Sequence, residues 1–226
     1  MKIKNEYVNG EVKQIKPNIF AVSIKDNYER TMLFCRYQEF YECPYEEIRG
    51  KFFTWEKYMA VYRSKWKKKI FTYPEDWSGF NIPSNIVEKA IHVFSKDEGP
   101  YDKIMNDIWY HCENYPLRFN KPRTKWYLIG ANSFTSKTMD HEIAHGLYYT
   151  NKDYKKNFSE IISNIKPSHY EKLRKKIVKM GYVDDKKIID DEIQAFMSTG
   201  LYNGLDTKEL KRYERDFINN FKKFNK

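Results

Sequence analysis

The chain is poor in cysteine and histidine and has no long apolar run. Its three cysteines, Cys35, Cys43 and Cys112, form no C-x-x-C pair and no disulfide framework. That scarcity points to a reducing compartment, and a cytoplasmic location is the expectation. No stretch approaches the roughly 20 apolar residues that a membrane-spanning helix needs, so no membrane association is expected. The opening MKIKNEYVNGEVKQIK lacks the apolar segment of a secretory signal. Internal repeats, low-complexity tracts and long Gly/Ser linkers are absent as well. With only five histidines in 226 residues, a pair at a chemically meaningful spacing carries weight.

Aromatic residues are abundant, with 19 Tyr and 15 Phe, and this excludes a disordered chain. The formal net charge is +10 and is spread along the sequence, with one dense run, Arg63-Ser64-Lys65-Trp66-Lys67-Lys68-Lys69. Such a run can meet phosphates, which keeps nucleic acid among the conceivable partners. A solvated face on a lysine-rich protein is its plainer explanation.

Periodicity and caps divide the chain into about eight helices and a few strands. A β-branched and aromatic stretch predicts a strand at 18–25. Asp26 opens a helix with Glu29 as its capping-box partner, and Thr54 opens another. "YPEDWSGFNIPS", rich in Pro, Gly and Trp, reads as irregular. Ser84 caps a helix through Phe94, and a further helix runs from about 101 to 113. At its end His111 and Cys112 are adjacent, about 100° apart on a helix, and do not readily share a metal. "KWYLIGA", 125–131, is a short strand and a candidate edge for pairing with an extended substrate. Helices follow at 155–165, at 168–180 (Ser168 with Glu171, ended by Gly181), up to a stop at Gly200, and from a Thr207 cap onward. Strands early and helices late predict an α+β class.

The densest chemistry lies in "TMDHEIAHGLYYTN", 138–151. Positions i and i+4 on a helix differ by about 40°, so His141 and His145 point the same way and can reach one cation. Glu142 is turned about 100° from His141 and can lean over a metal without ligating it. There it can take a proton from a water that zinc activates, the arrangement of H-E-x-x-H zinc peptidases. Two buried imidazoles bonded to carbonyls or carboxylates are the alternative, and they demand several partners, since an unsatisfied buried group costs about 1–3 kcal/mol.

A catalytic zinc takes three protein ligands and leaves one position open. The metzincin continuation H-x-x-G-x-x-H is absent, because position 148 is Tyr and position 151 is Asn. The third ligand must come from elsewhere, and "IIDDEIQAFMSTG" is the best source. Among Asp190, Asp191 and Glu192, Glu192 is the choice: it lies two turns into its helix, where the dipole no longer favours an acid. Asp191 is then available to bond a ligand histidine from behind. For an oxyanion donor the candidates are Tyr148, Tyr149, Tyr202 and His169, with Tyr148 one turn beyond His145.

On these residues the chain resembles the gluzincin-like HExxH metallopeptidases, in which two His and a Glu from a later helix bind zinc and the HExxH Glu is the general base. The resemblance covers about 125–200. It implies His141, His145 and Glu192 as metal ligands for Zn²⁺, Glu142 as the catalytic carboxylate, and a protein or peptide substrate. The Glu-x-x-x-Asp form of the second motif is missing, since Phe196 stands four after Glu192, and the gap from His145 to Glu192 is long and contains a basic helix. "E-I-Q-A-F" is similar to the E-x-x-A pattern of small cytosolic zinc peptidases that cut regulators. The fold implied is a mostly helical zincin-like region with a small sheet over 121–226, preceded by a mixed α/β region over 1–120. A zinc metallopeptidase is the leading expectation. The alternative is a basic binding protein, for nucleic acid or a protein partner, with a structural or vestigial zinc site.

Overall fold

A computed structural model describes residues 1–77, 79–119, 122, 124–135, 137–200 and 211–226. The fold is α+β and mostly helical, with one five-stranded mixed sheet. The chain divides into two compact units, Met1–Phe134 and Thr135–Lys226. The expected division at 120 falls before the strand at 127–131, which belongs to the first unit's sheet.

In the first unit the strands are β1 (Lys2–Lys4), β2 (Asn9–Lys16), β3 (Ile19–Ile24), β4 (Phe80–Pro83) and β5 (Tyr127–Ala131), in the spatial order β1-β2-β3-β5-β4. β3 pairs parallel with β5, and the other pairs are antiparallel. β5 therefore has neighbours on both sides, and the expectation of 125–131 as a free edge for substrate is corrected: its ladder groups are taken by β3 and β4. The helices are α1 (Asn27–Glu42), α2 (Trp55–Lys65), the single turn α3 (Tyr73–Asp76), α4 (Ser84–Phe94) and α5 (Pro100–Asn114).

Local chemistry explains most of these boundaries. Asp26 caps α1 by accepting the Glu29 N–H, while the Glu29 carboxylate accepts the Asn9 N–H at 2.9 Å. Thr54 caps α2 in the same way through Lys57 N–H. Ser84 is the first residue of α4, and its hydroxyl accepts the Trp126 N–H at 3.1 Å. The stretch expected to be irregular holds both α3 and β4, because the four residues of β4 are all buried and find β5 as a partner. Gly130 in β5 leaves room for α1: an added Cβ would lie 2.6 Å from the Phe34 ring. The core gathers Phe20, Phe34, Phe80, Phe94 and Trp126 with the aliphatic residues of β3.

The described residues of the second unit form five helices and no strand: α6 (Lys137–Thr150), α7 (Lys152–Ser163), α8 (Pro167–Lys179), α9 (Lys186–Thr199) and α10 (Lys211–Phe224). Tyr154, Phe158, Leu173, Ile177 and Phe217 fill its interior. Asn151 caps α7, and Asp185 caps α9 by accepting from Lys187 and Ile188 N–H. α8 starts at Pro167 instead of at a Ser168 cap, since proline suits a helix's first turn. Gly200 ends α9 at φ +72°, a conformation that favours glycine. The Thr207 cap expected before the last helix lies outside the described residues. No helix among the described residues is long and apolar enough to cross a membrane.

Candidate metal centre

α6 and α9 build the site. Ile143, Ala144 and Leu147 bury one face of α6, and Ile189, Ile193, Ala195 and Phe196 do the same for α9. His141, Glu142 and His145 are carried into the interior by α6, and Glu192 by α9, and all four are buried.

His141, His145 and Glu192 form a buried group that can hold a metal ion, with their ligand atoms within 4.8 Å of one another. The two Nε2 atoms face each other at 3.3 Å. His145 Nε2 lies 3.6 Å from Glu192 Oε1, and His141 Nε2 lies 4.0 Å from Glu192 Oε2. Two nitrogens each about 2.0–2.1 Å from one tetrahedral ion sit about 3.3–3.4 Å apart, so the two histidines already have the spacing of a shared cation. The carboxylate oxygens stand farther out than that spacing and have to move closer to share an ion with both histidines.

Hydrogen-bond roles sharpen this geometry. His145 Nδ1 lies 2.9 Å from Asp191 Oδ1, and a carboxylate only accepts, so Nδ1 carries the proton. The Nε2 of neutral His145 is then a lone pair aimed at a second imidazole and a carboxylate. Acceptors aimed at one another repel unless a proton or a cation lies between them. Glu192 Oε2 is buried with no hydrogen bond of normal geometry, as is His141 Nδ1. The Tyr182 hydroxyl and the Ala195 carbonyl act on these two residues more loosely.

The charges respond accordingly. Burial pushes Glu192 up to about 8, with His145 opposing. Burial and the charge of His145 hold His141 well below its ordinary value. Burial depresses His145, but Asp191, Glu192 and Glu142 outweigh it and raise the imidazole well above its ordinary value. Without a metal these influences favour a proton on His145.

The other expected residues are placed as follows. Asp191 reaches His145 from behind, the role expected of it. Asp190 is engaged elsewhere, accepting from Tyr170 at 2.8 Å and from Lys186 at 2.5 Å. Phe196, where the resembled family has an acid, lays its ring 4.7 Å from the His141 ring. His141 is thus held by packing and His145 by a carboxylate. Tyr148 is buried toward α7, with Lys155 Nζ 4.6 Å from its ring and Ser159 at its hydroxyl. Burial, with Asp191 and Asp190, raises that hydroxyl to about 12. His169 belongs to α8, where Arg212 and Tyr213 meet its Nδ1 at 3.2 and 3.4 Å. Tyr202 lies outside the described residues.

Three residues were missed by sequence reasoning: Gln194, Tyr154 and Tyr182. Gln194 donates to Asp191 Oδ1 at 2.9 Å and accepts from Tyr154 at 3.0 Å. Its position three after Asp191 on the same helix face was a readable signal. Tyr154 lies 40 residues away from Gln194, and nothing local announces the pairing.

Comparison of the chain with protein-family models, curated proteins and solved structures gives no match.

Proposed function

We propose that the chain is a zinc-dependent metallopeptidase, with His141, His145 and Glu192 as ligands and Glu142 as general base. The single observation that carries this reading is the convergence of two imidazole nitrogens and a carboxylate in a buried site, with a further buried carboxylate directly after the first histidine. The donor set of two His and one Glu is that of catalytic zinc, which keeps a fourth position open. When bound, Zn²⁺ supplies a Lewis acid that lowers the pKa of water toward about 7. Glu142, buried directly after the first histidine, would take a proton from the attacking water and deliver it to the leaving amine. The two histidines and Glu192 fix where the reaction takes place. Asp191 sets the tautomer of His145, so that Nε2 keeps its lone pair.

Glu142→Gln tests this reading. It preserves volume and removes the base. The variant should retain one zinc and its fold, while cleavage of unfolded proteins or peptide libraries falls by at least about 10²–10⁴-fold. Equal cleavage by variant and wild type removes Glu142 from the mechanism. Full zinc occupancy with no cleavage by either favours a structural zinc in a binding protein.

A further inference from the structure

We infer that Tyr154, Gln194 and Asp191 form a hydrogen-bonded relay that positions His145 for metal binding, an inference that rests on the metal reading of the site. The relay spans two helices. Tyr154 on α7 donates to Gln194 Oε1 at 3.0 Å, Gln194 Nε2 donates to Asp191 Oδ1 at 2.9 Å, and His145 Nδ1 donates to the same Oδ1 at 2.9 Å.

The direction of every bond is forced. A carboxylate cannot donate, so Gln194 must turn its amide nitrogen toward Asp191. That leaves Oε1 for Tyr154, which must then be the donor. Gln194 and His145 both donate to one oxygen of Asp191, so the Nδ1 of His145 carries its proton. With Nδ1 held by Asp191, it is Nε2 of His145 that faces His141 and Glu192, at 3.3 and 3.6 Å.

Burial makes an incidental origin for the relay costly. Gln194 and Tyr154 are both 0% exposed, in an interior where leucine or phenylalanine would fill the same space without any polar group to satisfy. Asp191 is itself part-exposed, with its side chain at 23%. Alone it could rotate toward water, and Gln194 holds it against that rotation. The two histidines are held differently, His145 by the relay and His141 by packing against the Phe196 ring.

The test is zinc affinity, measured by chelator competition on the full chain, in Tyr154→Phe, Gln194→Met and a packing control, Phe158→Leu. Phe158 touches Tyr154, with ring centroids 4.5 Å apart, but lies outside the relay. Thermal melts of the metal-free proteins put all three on one stability scale. Gln194→Met should weaken zinc about 10–100-fold, as loss of an outer hydrogen bond typically does, and Tyr154→Phe should weaken it somewhat less. Phe158→Leu should leave the affinity within about threefold even where its melting temperature falls further. The Co²⁺ absorption spectrum should shift in the two relay variants and not in the control. Equal zinc affinity in wild type and both relay variants overturns the relay while leaving the metal site standing. Affinity that follows melting temperature across all three variants overturns it too, reducing the network to packing. A wild type that takes up no zinc overturns the metal reading and the relay together.

Discussion

Each unit buries a charged cluster, and the two clusters are built on opposite logic. In the first unit Arg36 is surrounded by acceptors: Asp102 Oδ2 at 2.9 Å, Phe53 O at 2.9 Å, and the carbonyl and carboxylate of Asp97, each at 3.0 Å. The Phe94 ring covers it at 4.1 Å, and only Nε is left without a partner. Asp102 also accepts from Tyr37 at 3.1 Å and from Gly99 N–H at 3.0 Å. Donors meet acceptors, and the buried Arg36 and Asp102 charges offset one another. In the second unit two imidazole nitrogens and a carboxylate converge, and a proton or a cation has to lie between them. A closed network is structure; an open convergence of this kind can hold a cation. Burial and charge alone do not separate the two cases, and the donor–acceptor balance does.

The largest expected effects test that contrast at its two centres. His141→Ala, His145→Ala and Glu192→Ala should each abolish stoichiometric zinc, measured by metal analysis of purified protein. They should also lose the thermal stabilisation that saturating zinc gives the wild type, about 2.7 kcal/mol at a hundredfold excess over Kd. A variant that keeps one zinc per chain places the metal elsewhere. In the first unit, Asp102→Ala strands a buried guanidinium and should cost about 3–5 kcal/mol of stability by denaturant unfolding, while zinc content stays at wild-type level. Loss of zinc in Asp102→Ala would show that the two clusters are not independent.

A pH series probes the same difference more gently. Glu192 is raised to about 8, so in the metal-free protein its proton stabilises the fold. That stability is fully present below the ordinary carboxylate value and is lost as pH rises through about 8. Zinc requires the deprotonated carboxylate, so its stabilising increment should grow over the same window. From pH 7 to 8 the metal-free melting temperature should therefore fall while the zinc-induced gain rises. Raised His145 acts in the same direction as Glu192, and His141, held neutral, is silent above pH 7. Metal-free Glu192→Gln should show a flatter melting profile there, and an unchanged slope would mean that Glu192 is not the titrating group.

Much of the site was legible because its signals are local. The spacing of His141 and His145 fixes their common face, and an acid two turns into a helix has no dipole to explain it. Asp191 follows from Glu192, being its neighbour on the side toward His145. The relay beyond Asp191 depends on how α7 meets α9, and no pattern within either helix encodes that meeting. The same division runs through the fold. Asp26, Thr54 and Gly200 act within one turn and were readable. β1 and β2 are mostly polar and carry little apolar alternation; β3 offers an edge to β2, and β2 in turn to β1. β4 sits in a stretch whose Pro, Gly and Trp read as irregular, and β5 supplies its ladder. The placement of β5 between β3 and β4 is a long-range fact that neither strand's own residues state.

The smallest expected effect concerns Tyr148, which the sequence offers as an oxyanion donor. Its position one turn after His145 suits that role. In the structure, however, the side chain is buried toward α7, with Lys155 over its ring and Ser159 near its hydroxyl. A tyrosine so engaged contributes one hydrogen bond and packing. Tyr148→Phe keeps the packing and should cost about 0.5–1.5 kcal/mol of stability. Zinc affinity should be unchanged, and the cleavage rate should stay within about threefold of wild type. An oxyanion donor removed by the same substitution would cost about 10²–10³-fold in kcat. A loss of that size at full zinc occupancy would give Tyr148 its catalytic role and require its hydroxyl to leave Ser159 when substrate arrives. A stability loss with the rate intact would assign it to the contact between α6 and α7.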